Sequence, residues 1–381
     1  MHSRSLLAAL FPLVVACGGQ SPAQSPPPTT AKQPATATPE APVEPVNLED
    51  PRLVQLRALA DELALCTEPS DSRESCPRWE EFLAFDWAAP DAPVLYLFAL
   101  VGSPNPVQRQ VAAYAVTQAK ALKRYPELAT RVLDVMEKET DDMVAAAFAP
   151  LIDELLANPK NRERLYALIE HHTNPGVRSV LVDALQYDSK AGPLLLRMFD
   201  AAEPEVQESI VRAATFAAPE VRCGVYEKAF ATRSSGPGES ALINLVSVED
   251  HCPKQWDAAI AWLETSELSK TTPHFPDEDE DMDEAMSPEG FSATNSIGDF
   301  CGLKVSAAQR ARLLMQAKRF SKPEGPPELR VNALKSVLLC DPKAGRAFVK
   351  LFTGDSDDKV AEAARKLLGV PPQASAKSTQ P

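Results

Sequence analysis

No segment of this sequence reads HExxH, G-x-S-x-G, a phosphate-binding glycine loop or a glycine-rich dinucleotide turn. The common metal-hydrolase, serine-hydrolase and nucleotide-binding chemistries therefore have no local carrier. Histidine is scarce, five in 381 residues, and no CxxC pair occurs, so nothing has the ligand spacing of a zinc site. Period-two alternation of β-branched residues is absent as well, which removes the usual strand signal. Beyond the first residues the longest apolar run is Val94–Val101, far short of the roughly 20 residues a membrane-spanning helix needs. Positive charge is also short: 39 Lys and Arg stand against 53 Asp and Glu, a net charge of −14. A surface of that sign repels a phosphate backbone, so nucleic acid is not expected as a partner. It equally disfavours a basic peripheral contact with anionic lipid.

What the chain does contain begins with LFPLVVACGGQ, residues 10–20. Arg4 supplies a positive start, Leu6–Val15 is apolar apart from Pro12, and Val14-Val15-Ala16-Cys17-Gly18 follows. The apolar part has the length of a signal-peptide core and is too short to cross about 30 Å of hydrocarbon. The stretch resembles the bacterial lipobox, with an aliphatic residue at minus three, a small one at minus one and Cys17 at plus one. That resemblance implies cleavage of the signal peptide 1–16 and attachment of diacylglycerol and a further acyl chain, such as palmitate, at Cys17. Thiolate is the nucleophile such a transfer needs, and several acyl chains give stable anchoring where one would not. Gly18, rather than Asp, after the Cys implies the outer membrane of the envelope. Residues 17–49 then form a tether rich in Ser, Pro, Ala and Thr, and 371–381 have similar composition. Both are expected to be disordered, because they bring too little apolar surface to offset ordering entropy.

With Cys17 lipidated, six of the seven cysteines remain: Cys66, Cys76, Cys223, Cys252, Cys301 and Cys340. An even set in an oxidising compartment predicts disulfides. Fifteen pairings are open, and neighbours are the expected ones, 66–76, 223–252 and 301–340, because successive helices of a local fold lie side by side. Loops of that size stabilise by roughly 2.5–4 kcal/mol each through lost chain entropy.

From Asp50 onward the pattern is helical. Asp50-Pro51, Asn105-Pro106, Asn158-Pro159, Asn174-Pro175, Glu203-Pro204 and Asp341-Pro342 mark helix starts, since Pro is tolerated at the first helical position and Asn or Asp before it caps exposed amides. Glu203 is the weaker cap. Related sequences recur behind these starts: NPVQRQVAAYAV at 105, DDMVAAAFAPLI at 141, NPGVRSVLVDAL at 174, EPEVQESIVRAA at 203, PPELRVNALKSV at 326 and DDKVAEAARKLL at 357. Their aligned aliphatics are Val107, Val144, Val177, Val206, Leu329 and Val360, at steps of 37, 33, 29, 123 and 31 residues. The long step leaves room for about three degraded copies. The chain here resembles the HEAT-like repeat family, with Asn174–Leu185 the closest copy. The resemblance implies an all-α fold, an α-solenoid of stacked helix pairs over 104–370, and a ladder-forming structural role for Arg178 and Arg330. Residues 50–103 are expected to form an amino-terminal helical cap, with Trp79, Phe82, Phe85 and Trp87 as core.

Candidate sites are few. The stretch 273–290 is an acidic loop in which Asp277, Asp279 and Asp281 resemble the start of an EF-hand. Met282 stands where its Gly belongs and Pro288 where its bidentate Glu belongs, leaving at most weak calcium binding and no other metal site. His171-His172 closes a helix, where the carboxyl-end dipole favours it. SSGPGES at 234 is read as a loop, and His251-Cys252 cannot face each other as base and nucleophile. The expectation is a lipid-anchored envelope protein whose helical body binds a protein or peptide, without catalytic residues or cofactor. A motif-free envelope enzyme and a ligand-free spacer are the alternatives.

Overall fold

A computed structural model describes residues 51–63, 65, 78–87, 94–232, 234–248, 252–266 and 293–370. Cys17, the tether, Cys66, Cys76, His251, the acidic stretch with Asp277, Asp279 and Asp281, and the tail 371–381 lie outside them. All regular structure among the described residues is helix, with no strand among them. All of them fall in one unit, Pro45–Pro381.

At the amino end lie α1 (Pro51–Leu63), α2 (Arg78–Leu83) and α3 (Val94–Leu100), which pack on α4 (Pro106–Gln118). From α4 a first row of helices begins. It continues through α7 (Asp142–Phe148), α10 (Pro175–Asp183), α12 (Pro204–Ala214), α14 (Ser235–Ser247), α16 (Ala293–Gly302), α18 (Pro327–Cys340) and α20 (Asp358–Leu368), each packed against the next. A second row runs beside it: α6 (Ala129–Met136), α9 (Pro159–His171), α11 (Gly192–Met198), α13 (Pro219–Ala231), α15 (Trp256–Thr265) and α17 (Ala307–Phe320), again neighbour on neighbour. The short α5 (Ala121–Arg124) and α8 (Ile152–Leu156) connect the rows early in the chain, and α19 (Pro342–Val349) packs on α18 and α20 late in it.

The local causes are those the sequence carries. All six Pro-marked starts begin helices at the proline: α1, α4, α9, α10, α12 and α19. Asn105 accepts from the Gln108 amide, Asn158 from Lys160, Asn174 from Val177, and Asp341 from Lys343 and Ala344. Asp141 and Asp357, which lack the proline, cap through the Val144 and Val360 amides. Glu203 makes no capping bond. Ser306 and Gln309 form a reciprocal capping box at the start of α17. The aligned aliphatics Val107, Val144, Val177, Val206 and Val360 are all buried, so each of these first-row helices turns the same register inward.

One expectation needs correction. SSGPGES is helical from Ser235 and opens α14. Glycine is a poor helix former, but tertiary packing overrides propensity here: a Cβ on Gly238 would collide with the Trp262 ring, so α14 and α15 approach where only glycine fits. Of the roughly three copies expected in the 123-residue step, α14 and α16 are the two first-row helices among the described residues between α12 and α18, and the stretch 267–292 between them lies outside those residues.

One core runs through most of the molecule, from Leu56 to Cys340. A second, smaller cluster of Leu334, Val349, Val360 and Ala364 sits at the carboxyl end. Phe82 and Trp87 are buried in the main core, with Trp79 and Phe85 packed against it, and the Trp87 indole donates to the Phe82 carbonyl at 3.1 Å.

Candidate functional site

Consecutive first-row helices are fastened by arginines that reach forward. Arg109 on α4 meets Glu139 in two parallel bonds, Nε to Oε2 at 2.8 Å and Nη2 to Oε1 at 2.7 Å. Glu139 is itself buried and accepts from the Thr140 and Asp141 amides just before α7. Arg330 on α18 reaches Asp355, just before α20, through Nη2 while its Nε donates to the Ser321 carbonyl, and Arg178 on α10 reaches Glu203 at the start of α12 through Nη2. Glu139 and Asp355 occupy one register, five residues before Val144 and Val360. His172 holds that register before Val177: it is buried, and its Nδ1 accepts from the Asn174 amide. It thus serves the turn into α10, beyond simply closing α9.

In the second row the direction reverses, and the later helix supplies the base. Arg164 on α9 meets Asp134 and Glu137 at α6, Arg197 on α11 meets Glu170 on α9 at 2.6 Å, and Lys228 on α13 meets Asp200. Arg312 on α17 meets Glu264 on α15 at 2.7 Å. The Arg197 guanidinium holds the Glu170 carboxyl below the usual carboxylate range, and Arg312 does the same for Glu264. Burial works to raise Asp355, but the Asp357 amide and Arg330 outweigh it and the carboxyl is lowered. These groups are fixed anions in structural pairs, not poised acids.

Of the six cysteines expected to pair, Cys223 and Cys252 form a disulfide with Cα atoms 5.5 Å apart, and Cys301 and Cys340 another at 5.0 Å. The first ties α13 to the turn that opens α15, the second α16 to α18. With its sulfur so engaged, Cys252 is no nucleophile. Among the described residues no group of three or more His, Cys, Asp or Glu is placed to hold a metal ion, and no helix is long and apolar enough to cross a membrane.

What sequence reasoning missed is an exposed apolar edge. Ten residues after the aligned aliphatic stand Tyr187 (from Val177), Phe216 (from Val206), Leu339 (from Leu329) and Val370 (from Val360). All four are exposed, Tyr187 at 71% and Phe216 at 59%. Each sits at or just past the carboxyl end of a first-row helix, on the adjacent pairs α10/α12 and α18/α20. The Tyr187 and Phe216 rings are tilted together with centroids 5.2 Å apart. Deeper along the same helices, the Ser179 and Ser209 hydroxyls meet at 2.6 Å, so α10 and α12 run side by side in the same direction. Charges close to this pair in the chain are matched: Arg212 binds Asp183 at 2.8 Å and Glu208 at 2.9 Å, and Asp188, beside Tyr187, meets Arg162 at 3.5 Å. An apolar or aromatic residue of another molecule placed on this pair would lose water without stranding a charge. The shared register of the four positions is the signal that could have found them, because a residue ten past a core position is expected to be polar.

No protein-family model matches this chain, and no curated protein matches it.

Proposed function

We propose that this chain is an envelope lipoprotein, anchored through Cys17, whose body is a HEAT-like α-solenoid that holds a protein or peptide partner without catalysis. The observation that carries the binding part is the stacked, exposed Tyr187–Phe216 pair, placed on successive helices with its neighbouring charges neutralised. Tyrosine and other aromatics are the anchors that interfaces favour, offering large area at little entropy cost. Support for the solenoid comes from two rows of helices in chain order, from the recurring aliphatic register and from the forward-reaching arginine pairs, Arg178 and Arg330 among them. Such an array buries its stripes only against its neighbours and leaves an extended edge for a ligand. Fold analogy alone does not give a function, and the aromatic pair is what favours binding over a bare spacer. The anchor rests on the lipobox-like residues 14–18, and the outer-membrane, periplasmic or surface-facing placement on Gly18.

In intact cells, crosslinking followed by mass spectrometry should recover a reproducible partner with the unaltered protein and lose it with Tyr187→Ser/Phe216→Ser, at unchanged thermal stability. Recovery of the same partner by the double variant would move the site elsewhere. Replacing Cys17 by Ser should release the protein from membranes and abolish acyl labelling; membrane association with unaltered mass would remove the anchor.

A further inference from the structure

The chain is strongly acidic, yet residues 293–370 carry fourteen Lys and Arg against eight Asp and Glu. Much of that excess is bound: Arg312 to Asp257 and Glu264, Arg330 to Asp355, Lys359 to Glu328, and Arg319 to the carbonyls of Leu263, Glu264 and Ser266 at the end of α15. Of the remainder, three cations stand together on α19 and at its carboxyl-end cap. Lys343, Arg346 and Lys350 recur at i, i+3 and i+7, so they share one face of the helix. All three are exposed, and Leu351, next in the chain after Lys350 and on the flank of that face, is 75% exposed. Neither Lys343 nor Lys350 has a carboxylate partner among the described residues, and Arg346 spends one nitrogen on the Leu368 carbonyl at 3.0 Å. Asp341, the acid closest in sequence, has its Oδ1 engaged with the Lys343 and Ala344 amides. Lys318 on α17 extends the positive field, its Nζ 5.2 Å from the Phe348 ring centroid.

We propose that Lys343, Arg346, Lys350 and Leu351 form a docking face for an acidic segment of another protein that carries one apolar residue among its carboxylates. Charge complementarity selects the acid: three cations along about two turns of helix concentrate a field that the acidic remainder of the chain does not neutralise locally. Leu351 selects the apolar residue, since it is exposed on the flank of the basic face, directly after Lys350. The overall charge of −14 decides the class of partner. A bilayer or a nucleic acid would bring its own extended negative surface against the acidic body, whereas a short peptide meets only this face. This face is separate from the Tyr187–Phe216 edge and stands or falls independently of it.

The probe is a fluorescein-labelled twelve-residue peptide of Asp and Glu with a central Leu, added to the full-length protein and followed by anisotropy. Saturable binding is expected, weakening about tenfold when salt is raised to about 0.3 M. Lys343→Glu/Lys350→Glu should lower affinity at least about tenfold with an unchanged melting temperature, while Lys160→Glu/Lys190→Glu should leave it as it was. Absence of saturable binding, or an equal loss in the distant pair of substitutions, overturns the proposal. So does binding by phosphatidylglycerol vesicles in place of the peptide, lost with the same two lysines, which would assign the face to lipid. Binding that emerges only after Asp277–Glu284 is neutralised to Asn and Gln also overturns it, assigning the face to this chain's own acidic stretch.

Discussion

Gly238 shows how much a single missing side chain decides. Its neighbour is the Trp262 ring, which occupies the space a Cβ would need. Gly238→Ala is therefore expected to destabilise by roughly 1–3 kcal/mol through overpacking, read as a lowered melting temperature. Gly302→Ala, with nothing within 4 Å of its Cβ, is the matched control and should be close to neutral. That contrast was not legible in the sequence, because Trp262 lies 24 residues further on and only the fold brings it back. The caps were legible, since Asn105, Asn174 and Asp341 bond to amides two or three residues away. Buried charge adds a pH dependence. Asp355 is held below the ordinary carboxylate value while paired with Arg330. A lowered folded value means stability is present above about pH 4 and lost as pH falls through the folded value. Tyr226 acts at the other extreme: burial pushes its phenol up to about 12. Its contribution is complete below pH ~10 and lost as pH rises toward 12. Denaturant titrations across both ranges should give a plateau between acid and alkaline losses. Acid losses unchanged in Asp355→Asn would exclude the Arg330 pair as a cause.

Between elements, the sequence carried the period better than the partners. Helices with a capping residue or a proline at the start and an aliphatic core position behind it were readable, as α4, α7, α10 and α20 with their caps and α12 and α18 with their prolines demonstrate. The helices α14 and α16 were not, because they approach their neighbours through Gly238 and Gly298, where a side chain would collide with Trp262 or Leu339. Composition there obeys inter-helix distance rather than the repeat. The arginine pairs were half legible: Arg178 and Arg330 stand at the expected register, but Arg109 needed the structure to reveal Glu139. Disulfides supply the strongest test at this scale. Cys301–Cys340 closes 39 residues and joins α16 to α18 directly. Cys301→Ala/Cys340→Ala should cost roughly 2–4 kcal/mol, seen as a shifted denaturant midpoint. A surface pair such as Lys359–Glu328, at 3.2 Å, should give under about 1 kcal/mol when Lys359 is truncated. Equal costs for the two would mean that the α16–α18 link carries little of the fold.

For the body as a whole, the two hydrophobic clusters make a prediction about how it opens. Nearly all of the buried apolar residues join one core, but Leu334, Val349, Val360 and Ala364 form a cluster of their own beneath α18, α19 and α20. When repeats touch only their neighbours, stability is close to a sum of local terms, and an end unit can open without the rest. The Arg330–Asp355 pair is the charged fastening of that unit. Removing one partner leaves a buried charge uncompensated, which costs about 3–5 kcal/mol. In Asp355→Asn that loss should fall on α19 and α20 alone. Amide hydrogen exchange there should accelerate by at least about a hundredfold, since each 1.4 kcal/mol is a factor of ten in the opening constant. Protection in α10 and α12 should stay as in the parent protein. A uniform rise in exchange along the chain would show the body to be one cooperative unit and would remove the stacked-repeat reading of its energetics. The same experiment bears on the basic face of α19, which must remain seated on α18 to present Lys343, Arg346 and Lys350 together. Asp355→Asn should therefore weaken binding of the acidic peptide in proportion to the fraction of α19 that has opened.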